Sequence, residues 1–150
     1  LEEAIDTFLL TCAARVARGQ AREHNSMLVH VSRYVDVHIE VHRQVETYLR
    51  TTRAMISNGD RETLNRLKAV WESDYRPTTD AVRSTVYGRN TVSVTWDQVA
   101  ARLAESSDKI QVITANGRSK ADIDYDAYKE TGYSVIAVGG DKLSRGLTLE

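Results

Sequence analysis

The sequence predicts an α/β domain: a small parallel sheet of about three strands, flanked by helices, with a helical insertion over about residues 34–105. Three observations predict it. The runs "MLVHVS" (27–32), "KIQVIT" (109–114) and "YSVIAVGG" (133–140) are short and β-branched, and the last is nearly all apolar. Near-continuous apolar strands belong to parallel sheets buried on both faces. Helical periodicity fills the intervals between these runs, as crossover connections require.

Residues 2–18 place Ile5, Phe8, Leu9, Cys12 and Val16 on one helical face, and Gly19 supplies the stop. The polar "RGQAREHNS" leads into the first strand. "VDVHIEVH" (35–42) alternates as a strand would, but Val41, Val45, Tyr48 and Leu49 continue at helical spacing, and residues 43–56 contain no breaker. One helix from about 34 to 57 covers both segments. "SNGD" (57–60) is a turn, with Asp60 placed to cap a helix whose apolar stripe is Leu64, Leu67, Val70 and Trp71. That helix is expected to end before Pro77, residues 76–90 to be polar and irregular, and "TVSVT" (91–95) to be short and β-like. Thr95 with Gln98 reads as a capping box opening a helix that buries Trp96, Val99 and Leu103.

Composition excludes several classes. Apolar residues at 41% and charged residues at 27% are ordinary for a soluble globular domain. With 20 Lys plus Arg against 21 Asp plus Glu, the net charge of -1 provides no global basic field, so a nucleic-acid partner needs a local patch. The single cysteine, Cys12, forms no internal disulfide and suits a reducing, cytoplasmic setting. Its place on a buried helical face argues against a nucleophile. No apolar run reaches membrane-spanning length, and no secretory signal opens the chain. The chain starts at Leu1 rather than Met and reads as a single partial domain, residues 1–150, excised from something longer. Leu149 and Glu150 are either native or tag-derived.

The site candidate follows the last strand. In open α/β sheets, ligands sit beyond the carboxyl ends of the strands. "GGDKLSRG" (139–146) stands at such an end. Gly139 and Gly140 permit positive φ, which lets successive N–H groups converge on one anion. Lys142 and Arg145 add charge, and Ser144 adds a hydroxyl donor. The order G-x-x-x-x-G-K-[ST] is absent, so this is not a Walker A loop. By pattern alone the segment divides evenly between a phosphate loop and a glycine turn with solvated charges. His38 and His42 share a helix face at zinc-compatible spacing but lack an evident third ligand. His30 reads as a core or edge histidine of the first strand. Asp122, Asp124 and Asp126 could hold magnesium, though an acidic solvated loop accounts for them more simply.

"NSMLVHVSR" (25–33) and "VIAVGGDKLSRGLTLE" (135–150), with the first helix and the "WDQV…IQVI" region, resemble the bacterial domain family called Z-one, to which endonuclease activity is ascribed. That family occurs in large multi-domain ATPases linked to restriction and defence. It is similar in turn to the second, RecA-like motor lobe of superfamily-two helicases. The resemblance implies that Ser32 and Arg33 face a nucleic-acid backbone or the cleft between lobes. It implies that Gly139, Gly140, Asp141, Lys142, Ser144, Arg145 and Gly146 form a loop between the bound strand, expected to be DNA, and the nucleotide. It also implies ATP and magnesium as cofactors of the parent protein, with none in this segment, and the remaining lobes of the same chain as partners. Phosphoryl transfer needs a phosphate cradle, a magnesium site and charge compensation, and no set of these is complete here. The segment is therefore expected to be inactive alone. Two alternatives stand: a binding module for nucleic acid or protein that drives nothing, and a metal-dependent nuclease using the acidic cluster.

Overall fold

The most apolar run of the sequence becomes the centre of the sheet. In the computed structural model, which describes residues 1–31, 34–115 and 125–140, strand β3 (Ser134–Gly139) is buried at every residue. β1 (Asn25–His30) and β2 (Ile110–Ala115) flank it in the order β1-β3-β2, both parallel to it. The register is even: Asn25 and Ile110 pair with Ser134, and His30 and Ala115 pair with Gly139. All three strands therefore begin and end together.

Helix α1 (Glu2–Ala17) works on two sides. Ile5, Phe8, Leu9 and Cys12 pack with Ile136 and Val138 of β3, and with Val45 and Leu49 of α2 (Val35–Ser57). Leu10, Ala13 and Ala14 turn the other way, into a second core. There they meet Leu67 of α3 (Arg61–Val70), Trp71, and Val99 and Leu103 of α5 (Trp96–Asp108). The layers run from the sheet through α1 and α2 to α3 and α5. The opposite face of the sheet carries Val135 and Ala137, both fully buried. Near the amino ends of its strands, that face is covered by tyrosines. The Tyr133 hydroxyl donates to Gln111 Oε1 at 3.2 Å, the Tyr125 hydroxyl bonds Ser26 Oγ at 2.7 Å, and Tyr128 stacks on Tyr133 with centroids 4.4 Å apart. Gly132 makes the turn into β3 at φ +73, where a Cβ would lie 2.7 Å from the Ala21 carbonyl oxygen, so a side chain is excluded on both counts.

Local signals behave as their chemistry requires. The Asp60 carboxylate accepts from the Thr63 amide at 2.8 Å, capping α3. Thr95 and Gln98 form the reciprocal capping box. Arg53 donates to the carbonyls of Ser107 and Ile110, covering the carboxyl end of α5. The segment 35–42 is helical despite its alternation, because α2 buries one face of the run that continues through Val45 and Leu49.

Two expectations fail in the insertion. α3 itself ends at Val70, before Pro77, but residues 76–90 are not all irregular: a π-helical turn (Trp71–Tyr75) leads directly into α4 (Arg76–Arg83). The Arg76 amide bonds the Trp71 carbonyl, an i to i−5 link that widens the helix immediately before the proline ring. The π-turn also aims Tyr75 at α1, where its hydroxyl donates to the Thr7 carbonyl at 2.6 Å. Residues 91–95 carry no regular structure and pair with no described strand. Val94 is buried in the second core, so the β-like run supplies one anchor there rather than a paired strand.

A polar knot ties three helices together. Asp6 is buried on α1, and its carboxylate accepts from Arg66 Nε at 2.8 Å and from the Tyr48 hydroxyl at 3.0 Å. Removing a buried acceptor strands its donors. Asp6→Ala should therefore lower unfolding free energy by about 1–3 kcal/mol in a urea titration. Cys12 gives a second expectation: burial pushes its thiol from 9.0 up to about 11. The unfolded chain loses that proton at lower pH than the fold does. The contribution is thus whole below pH 9 and lost on approach to pH 11. Melting temperature should fall across that window, and less steeply in Cys12→Ala, while an aromatic disulfide reagent should label Cys12 only on unfolding.

Candidate nucleic-acid interface

The even register brings three strand ends to one edge. His30, Ala115 and Gly139 lie side by side, and the Val31 amide donates to the Gly139 carbonyl at 2.8 Å, continuing the pairing one residue past β1. Gly139 is therefore the last residue of a paired strand. This corrects one expectation. Among the described glycines, those with positive φ are Gly19, Gly59 and Gly132, so Gly139 does not open an anion-binding nest. It serves instead to carry a buried strand to the edge, with Gly140, also buried, directly after it.

Of the anticipated contact residues, the structure places these two glycines. Ser32, Arg33, Asp141, Lys142, Ser144, Arg145 and Gly146 lie outside the described residues. In the sequence, Ser32 and Arg33 follow β1 by two and three residues, and Asp141 follows β3 by two. The described frame thus fixes where each of those segments leaves the sheet. His30 is exposed at the edge, in keeping with its place on an outer strand.

The competing sites are placed elsewhere. His42 Nε2 lies 3.3 Å from the Val112 carbonyl oxygen, and His38 is buried on the same face of α2, so both turn inward. Among the described residues no three His, Cys, Asp or Glu side chains come together as a metal site. Of the acidic trio, Asp122 and Asp124 lie outside the described residues, and Asp126 is exposed in a short 3₁₀ turn (Asp126–Tyr128). Tyr125, its neighbour, bonds Ser26 near the amino end of β1, so Asp126 stands toward the end of the sheet opposite Gly139. Cys12 is buried and its thiol is held protonated, which removes it as a nucleophile.

Three features escaped sequence reasoning: the π-turn that places Tyr75, the Asp6–Tyr48–Arg66 knot and the tyrosine cover over β3. Only the knot had a local signal, a lone aspartate on an apolar helical face. No described helix is long and apolar enough to cross a membrane.

Comparison with curated proteins and with solved structures gives no match. The Z1 domain family model matches residues 1–150, which is the full length of this sequence, and the chain belongs to the Z1 domain family.

Proposed function

We propose that this domain contributes the phosphate-contacting edge of an ATP-dependent nucleic-acid-processing protein. The observation that carries the reading is the common strand edge, where a fully buried β3 delivers Gly139–Gly140 beside the ends of β1 and β2. The sequence then supplies Asp141, Lys142, Ser144, Arg145 and Gly146 after β3, and Ser32 and Arg33 after β1. Hydroxyl, ammonium and guanidinium donors that follow these strand ends in the sequence suit phosphate oxygens and carry no base information, so contact is independent of sequence. Arg145 and Lys142 neutralise phosphate charge, while Ser144 donates to a phosphate oxygen. The chain lacks the G-x-x-x-x-G-K-[ST] order, so ATP and magnesium are held by other parts of the same protein. DNA is the favoured polymer.

A near-neutral domain binds weakly. Dissociation constants should fall at roughly 1–100 µM at physiological salt, equal across unrelated DNA sequences. Arg145→Ala should weaken every sequence alike and reduce the salt slope by about one. In a longer protein carrying the domain, the same change should abolish DNA-stimulated ATP hydrolysis. Binding indifferent to Arg145, or none at low salt, refutes the reading. Magnesium-dependent cleavage lost in Asp124→Ala would replace it with a nuclease.

A further inference from the structure

The helical insertion presents a second surface whose chemistry the strand edge does not use. After α4 the chain turns back through residues 84–91, and this turn is closed rather than loose. The Thr85 amide donates to the Val82 carbonyl at 3.0 Å, the Gly88 amide to Thr85 Oγ1 at 3.2 Å, and the Thr91 amide to the Gly88 carbonyl at 2.9 Å. Gly88 is buried so tightly that a Cβ would sit 2.0 Å from the Val82 carbonyl oxygen. A pinned glycine beside an outward residue fixes the direction in which that residue points. Here the outward residue is Tyr87, 98% exposed.

No described side chain stacks on the Tyr87 ring or bonds its hydroxyl. Val82, Val86 and Val92 of the same segment are exposed as well, which makes the turn apolar as well as basic. The segment itself is basic. Residues 76–95 hold Arg76, Arg83 and Arg89 against one acid, Asp80, in a chain whose net charge is -1. Arg76 is paired with Glu72, but neither Arg83 nor Arg89 meets a carboxylate among the described residues.

At the foot of the turn lies a cavity of about 270 Å³, lined in part by Arg18, Thr78, Thr79, Val82 and Thr91. Arg18 donates to the Val92 carbonyl at 3.1 Å and to Thr79 Oγ1 at 3.3 Å, and among the described residues no carboxylate pairs with it. Desolvation draws its pKa down, opposed only by the Tyr75 phenol. An incoming anion would offset that cost. Asp74 also lines the cavity, its carboxylate occupied by the Thr78 hydroxyl at 3.0 Å.

We propose that the 82–92 turn is a docking surface for single-stranded nucleic acid, with a base stacked on Tyr87 and phosphates held by Arg83, Arg89 and Arg18. An aromatic face accepts any base, and flanking guanidiniums follow the backbone, which is the chemistry of sequence-tolerant single-strand binding. A duplex hides its base faces and gains only the charge contribution. Preorganisation by the Gly88 contact lowers the ordering cost of the encounter. The surface lies in the insertion, and its case does not rest on the strand-edge loop.

The test is binding of a labelled oligothymidylate and of a duplex to the intact chain and its variants. Tyr87→Ala should weaken oligothymidylate binding roughly 5- to 150-fold, as loss of one stacked base requires, while Tyr87→Phe retains it. Duplex affinity should change far less. Arg83→Ala and Arg89→Ala should each reduce the single-strand salt slope by about 0.7. Tyr87 is solvent-exposed, so these variants should melt with the wild type. Wild-type affinity in Tyr87→Ala overturns the proposal, as does absence of oligothymidylate binding by the wild type. Sedimentation showing a dimer that Tyr87→Ala dissolves would assign the patch to a second copy instead. Arg145→Ala measured alongside separates the two readings: dependence on Arg145 alone leaves the strand edge standing and removes this surface, and dependence on Tyr87 alone does the reverse.

Discussion

Burial of β3 on both faces is the constraint on which the rest of the domain depends. A strand with no water on either side must pair its backbone on both edges, and β1 and β2 do so in even parallel register. Parallel pairing needs crossovers, and the crossover from β1 to β2 is where the whole helical insertion resides. The same register sets the three carboxyl ends level, so one edge collects three departing segments. Architecture and candidate site therefore share a cause.

Helix α1 transmits that constraint outward. Its apolar residues wrap most of its circumference, which a helix tolerates only when covered on two sides. One side rests on Ile136 and Val138, and the other receives Leu67, Trp71, Val99 and Leu103. Asp6 sits at the seam, where Arg66 and Tyr48 supply its hydrogen bonds. Apolar packing alone would let α3 slide along α1. A directional acceptor fixes their relative position, and the π-turn adds a second fixed point through Tyr75 and Thr7. The insertion is thereby tied to α1 at two points, and α4 and the turn after it follow from the second of them.

The legible and illegible parts of the molecule divide by range. Strand runs, the first helix, the Asp60 cap and the Thr95–Gln98 box were readable because each rests on side chains within a few residues of one another. The course through Pro77 was not: proline ordinarily stops a helix, and the relieving π-turn depends on Trp71 and Tyr75 finding α1, about sixty residues earlier in the chain. Residues 91–95 misled for a related reason, since a short β-like run does not say whether a neighbouring strand exists to pair with it. At the candidate site, the sequence pointed to the end of β3 but assigned Gly139 a nest-forming role, whereas pairing with His30 and Ala115 keeps it extended.

The sequence by itself determined the α/β class, the three strands and most helix starts, because hydrophobic period and capping chemistry act locally along the chain. Only the tertiary structure decided which strand is central, that the ends of all three fall level, and that Asp6, Tyr48 and Arg66 meet. Those outcomes turn on which apolar faces close against each other, a choice made in three dimensions by burial and backbone pairing together, with no counterpart in residue spacing.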